Sequence, residues 1–145
     1  MKRIFWFLAI LFFIIMVGVL GGCNKDSNSE GLSDFMTLDE LNDFMDGGTG
    51  FIFVTSEFHN DDYQAQKKQV ENALKANNEA AVTFNVYMED GKTLEGKDIN
   101  PYEELFSNSL NYVKNGDVIE TFRLTRYDGN DIEQAINDFV KNISK

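Results

Sequence analysis

Cysteine, histidine, tryptophan and proline occur once each in these 145 residues, as Cys23, His59, Trp6 and Pro101. A single cysteine excludes an internal disulfide. A single histidine and no second thiol argue against a structural zinc site. Basic residues are scarce too. Thirteen Lys+Arg stand against 24 Asp+Glu, for a formal net charge of −11, which argues against nucleic acid as a partner. No phosphate loop, Rossmann fingerprint or Ser-His-Asp order is present, so no cofactor is expected. The acidic surface itself names no partner, because excess negative charge is how most domains stay soluble.

What is present begins at the N-terminus. Met1-Lys2-Arg3 precedes an apolar run from Ile4 to Leu20, and Leu20-Gly21-Gly22-Cys23 follows. Lys2 and Arg3 favour the cytoplasmic side, the run partitions into the bilayer, and two glycines leave an uncrowded backbone beside a cleavage point. The segment resembles a bacterial lipoprotein signal peptide with its lipobox. That resemblance implies cleavage between Gly22 and Cys23, a diacylglycerol on the Cys23 sulfur, and acylation (palmitate) of the new amino terminus. It also implies a cell-membrane location, lipid-anchored on the extracytoplasmic face. The competing reading is an uncleaved anchor, since the run is near the lower limit for a spanning helix. Removing residues 1–22 takes away Lys2, Arg3, Trp6 and four of thirteen Phe but no acid, so the remainder carries a net charge of −13. About 110 residues then suit one domain.

Residues 24–34 are polar and aperiodic, and read as a flexible tether of at most roughly 40 Å. Residues 35–145 read as the folded domain. Thr37-Leu38-Asp39-Glu40 matches a capping box, and Leu38, Leu41, Phe44 and Met45 share one helical face up to Gly47-Gly48. Residues 50–55 (GFIFVT) are apolar on both faces, the pattern of a central strand. A polar turn, residues 56–62, leads to a helix over 61–77, and residues 80–87 alternate as a second strand. Residues 89–100 read as loop. Asn100-Pro101 predicts a short helix through Phe106. Residues 110–114 and 118–124 flank Asn115-Gly116 as a hairpin, and residues 131–143 form an amphipathic helix. Phe51, Phe53, Phe84, Phe122 and Phe139 are expected in the core. The order is α/β, with a central mixed sheet of about four strands; the first two are parallel through a crossover helix.

That order resembles the thioredoxin fold. Residues 51–58 (FIFVTSEF) look like the strand entering the thioredoxin active-site turn, and residues 112–118 (YVKNGDV) are similar to the family's hairpin. Divergent bacterial thioredoxin-like proteins, including bacteriocin-transport accessory proteins, are closest in character. The resemblance places the Cys-x-x-Cys window on His59-Asn60-Asp61-Asp62 and the cis-proline position at Asn108. Neither thiol nor proline is there, so dithiol–disulfide exchange is excluded, and a cis bond at Asn108 would be costly.

Glu57, His59, Asp61 and Asp62 cluster at this turn. They read either as acid–base or cation-binding groups or as the solvated cap of a helix. No metal-ligand spacing is complete, and no metal is expected. Residues 128–131 (DGND) lack the downstream ligands of a calcium loop, where Ile136 and Phe139 stand instead. The resemblance brings Glu57, Phe58, His59, Asn60, Asp61 and Asp62 opposite Asn108, as a recognition surface for an envelope protein or peptide. Two other functions remain open: a cation- or solute-binding lipoprotein, and a non-redox enzyme using His59 with Asp61 or Asp62.

Overall fold

The structure, a computed structural model, describes residues 31–56, 61–89, 92–93, 98–126 and 131–145. Residues 1–30, with Cys23 and the expected signal peptide among them, and Glu57 to Asn60 lie outside the described residues.

The described residues fold as one α/β domain with a five-stranded mixed sheet and three α-helices. In chain order the elements are β1 (Gly31–Phe35), α1 (Leu38–Met45), β2 (Gly50–Thr55), α2 (Asp61–Ala76) and β3 (Ala80–Asn85). A small ribbon of β4 (Met88–Glu89) and β5 (Lys92–Thr93) follows. β6 (Ser109–Lys114), β7 (Asp117–Arg123), a 3₁₀ turn (Leu124–Arg126) and α3 (Asp131–Ile143) complete the chain. The sheet order is β1-β3-β2-β6-β7. β1, β3 and β2 are mutually parallel, and β6 and β7 run antiparallel to their neighbours.

Each helix is fixed by local chemistry and then by burial. Thr37 caps α1 in a reciprocal box: its Oγ1 accepts from Glu40 N at 3.2 Å, and its own N–H donates to Glu40 Oε2 at 2.9 Å. α1 buries Leu41 and Met45 on one face of the sheet, against Ile52, Val54, Phe84, Val86 and Val113. α2 and α3 cover the opposite face, where Val70, Ala73, Leu74, Ile132, Ile136 and Val140 pack on Phe51, Phe53, Leu110 and Phe122. Phe51 to Thr55 of β2 are all buried, as a strand covered on both sides must be. Phe139 is half-buried and packs edge-on to Phe51 with centroids 6.3 Å apart.

Three expectations are corrected. The sheet has five strands, not about four, because residues 31–34, read as tether, form β1 with Phe35. The strand is amphipathically weak, and it forms because the open edge of β3 supplies backbone partners. Gly31 N donates to Glu79 O at 3.0 Å, and Met36 N to Thr83 O at 2.8 Å. At the start of the segment read as loop, residues 89–100, Glu89 pairs with Lys92 and the preceding Met88 with Thr93 as a ribbon. The helix expected from Pro101 to Phe106 does not form. Asn100 makes a compact turn instead: its Oδ1 accepts from Tyr102 N at 3.1 Å, and its Nδ2 donates to Leu105 O at 2.7 Å. A side chain so placed competes with the helical ladder. The turn still buries Leu105 and part-buries Ile99 and Tyr102 against the α1 face of the sheet.

Candidate functional site

The parallel strands end where β2 passes Thr55 to Ser56, and antiparallel β6 begins beside it, with Ser109 paired to Val54. Asn108 stands just before that pairing. Its φ of 54° is left-handed, a conformation that asparagine tolerates better than most residues. The side chain clasps the end of β2: Asn108 Oδ1 accepts from Ser56 N, and Asn108 Nδ2 donates to Ser56 Oγ, each at 3.2 Å. Asn108 O accepts from Leu124 N at 3.0 Å. One residue thus joins β2, β6 and the 3₁₀ turn after β7. All peptide bonds of the described residues are trans.

A buried polar chain holds the clasp from beneath. Thr121 Oγ1 donates to Asn111 Oδ1 at 2.8 Å, and Asn111 Nδ2 donates to Ser109 Oγ at 2.8 Å. Ser109 Oγ donates onward to Phe106 O. Ser109 and Asn111 are fully buried, so their partners offset a desolvation cost of about 1–3 kcal/mol per group. Phe106 itself is 41% exposed, and the Arg123 guanidinium carbon lies 3.5 Å over its ring centroid.

On the opposite face of the same strand ends lie Thr55 and Asn85, both buried and paired across β2 and β3. Asn85 Oδ1 accepts from Tyr87 N at 3.0 Å. Phe35, at the end of β1, is 39% exposed and stacks on Tyr63 in the first turn of α2, with centroids 6.0 Å apart. Burial pushes the Tyr63 phenol above its ordinary value.

Of the residues singled out from the sequence, Asn108 is at the clasp, and Asp61 and Asp62 open α2. Glu57, Phe58, His59 and Asn60 lie outside the described residues. Ser56, the last described residue before them, is bonded to Asn108. Among the described residues no three His, Cys, Asp or Glu side chains converge in a way that could hold a metal ion. The groups that do converge are hydroxyls, carboxamides and aromatic rings, and the hydroxyls and carboxamides bond to one another and to the backbone.

Sequence reasoning missed Asn111, Phe106 and Arg123. Asn111 carried a signal, because asparagine is depleted from strand interiors. A shallow groove of about 440 Å³ lies elsewhere, between α2 and α3, lined by Asn72, Ala73, Ala76, Glu133, Gln134 and Asn137. Hydrogen bonds from Asn72 to Glu133 at 3.3 Å and from Asn77 to Asn137 at 2.9 Å accompany it. It is a polar seam between helices and does not meet the clasp. No described helix is long and apolar enough to cross a membrane. Comparison with protein-family models, with curated proteins and with solved structures finds no match for this chain.

Proposed function

We propose that the chain is a lipoprotein anchored through Cys23 on the extracytoplasmic face of a bacterial membrane. Its thioredoxin-like domain, without redox chemistry, binds a protein or peptide at the envelope. The single observation that carries the reading is the Ser56–Asn108 clasp. It joins the two segments that the thioredoxin resemblance sets opposite each other, and it does so where ligands of α/β sheets bind, outside the carboxyl ends of parallel strands. Two features of the architecture support the finer fold assignment. Parallel β2 and β3 are linked through α2, and the antiparallel β6–β7 hairpin is followed by a closing helix. The cysteine count supports the loss of redox function, because Cys23 is the only thiol and the anchor uses it.

β1 starts at Gly31, at the amino end of the parallel strands, whereas Ser56 and Asn108 lie at the carboxyl end. A lipid on Cys23 would join the domain at the first of these ends, away from the clasp.

Two measurements test the reading. Cys23→Ser should abolish lipid labelling and leave an unprocessed precursor; full membrane attachment at the processed mass would overturn the anchor. A photo-crosslinking residue at exposed position 107 should capture a discrete envelope adduct that the same residue at 141, on α3, does not. Identical adducts from both positions, or none, would overturn the recognition role.

A further inference from the structure

We propose that Arg123, stacked on Phe106, forms a subsite for a carboxylate of the bound peptide; the proposal rests on the recognition reading above and names the chemistry of its ligand. Residues 23–145 contain two arginines only, Arg123 and Arg126. They stand three residues apart, on either side of Leu124, whose N–H is bonded to Asn108. The guanidinium is the one cationic side chain that presents a planar fork matching a carboxylate.

Arg123 is held for that role. Its guanidinium carbon lies 3.5 Å from the Phe106 ring centroid, and a guanidinium that rests on a ring face keeps its in-plane N–H donors for hydrogen bonds. The backbone that carries the ring is held in turn, because Phe106 O accepts from Ser109 Oγ, the end of the buried chain from Thr121 through Asn111. Cross-strand pairing sets Arg123 directly opposite Ser109. Donor and platform are thus positioned before a ligand arrives, which lowers the ordering cost of binding.

The charge pattern narrows the ligand. Although acids outnumber bases about two to one in the chain, the ion pair among the described residues is Lys75–Glu71, on α2, and no described carboxylate pairs with Arg123. A net charge of −13 repels a polyanion. The fitting ligand is therefore a peptide of low net charge with one carboxylate beside an apolar or aromatic side chain that rests on exposed Phe106. The carboxylate comes from a chain terminus or from an acidic side chain.

The test is an NMR titration of the full-length protein in non-ionic detergent micelles, following the Arg123 Nε–H and the amides of 106–109. The probes are acetyl-Gly-Gly-Phe as free acid, the same peptide as amide, and acetyl-Gly-Glu-Phe amide. The free acid should shift these signals, and the neutral amide should bind at least about tenfold more weakly. Arg123→Gln should erase the difference, and Arg123→Lys should keep only part of it, with melting temperatures near that of the parent. Binding of the Glu amide as well would show that the site reads a side-chain carboxylate; binding of the free acid alone, a chain terminus. Both uphold the subsite. Equal binding of the neutral amide, no response to any probe, or indifference to Arg123→Gln would overturn it. Crosslinking from position 107 would still judge the recognition role separately.

Discussion

Asn108 is where one side chain does the work of several contacts. It closes the end of β2 with both polar atoms of its amide while its carbonyl holds the 3₁₀ turn. Its left-handed φ is what lets the backbone turn into β6 and still aim the amide at Ser56. Tyr63, across the same strand ends, gives a prediction at this scale. Burial raises its pKa, so the fold favours the neutral phenol. Its contribution to stability is complete below the ordinary tyrosine value of 10.0 and is lost as pH rises through the folded value. Absorbance titration at 295 nm of the parent against Tyr63→Phe should show that the variant lacks a component ionising above pH 10.0, with stability of the parent falling above that pH. A difference curve centred at or below pH 10.0 would contradict this. Gln66, one turn further along α2, has a buried Oε1 with no partner among the described residues, a local cost to the helix.

At the scale of elements, the β6–β7 hairpin shows how a turn is selected twice. Asn115 and Gly116 have φ of 54° and 85°, the left-handed pair that a two-residue hairpin requires. The turn also leans on the end of α1. Gly116 N donates to Gly48 O at 2.9 Å, Asn115 N donates to Thr49 Oγ1 at 3.0 Å, and a Cβ on residue 116 would lie 2.2 Å from Met45 O. Gly116→Ala should therefore combine left-handed strain with overlap against fixed backbone, and destabilise by about 3 kcal/mol in urea unfolding. A cost under about 1 kcal/mol would mean that the hairpin does not rest on α1. The hairpin and both long helices were legible in the sequence, because Asn-Gly and 3.6-residue periodicity are local signals. The turn at 100–106 was not. Asn100-Pro101 is an equally good opening for a helix or for a closed turn, and the choice fell to burial of Leu105 against the sheet.

For the whole molecule, two layers of side chains meet on one sheet, and Phe53 sits fully buried at its centre between β2 and the α2–α3 layer. Phe53→Ala should cost about 3–5 kcal/mol, a large share of the roughly 5–15 kcal/mol that holds a domain of this size together. Denaturant titration measures it, and a loss below about 1 kcal/mol would place the core elsewhere. The sequence by itself determined the α/β class, the buried strand β2, the parallel β2–β3 pair, the hairpin, the faces of the three helices and the exclusion of dithiol–disulfide exchange. All of these follow from residue type and short-range period. Only the tertiary structure decided the rest. β1 exists because β3 offers an unpaired edge, not because its own residues favour a strand. The chain Thr121–Asn111–Ser109 exists because β6 and β7 pair in one register. Arg123 meets Phe106 across the clasp because hydrogen bonds between segments far apart in the chain bring them together, and no local pattern encodes that distance.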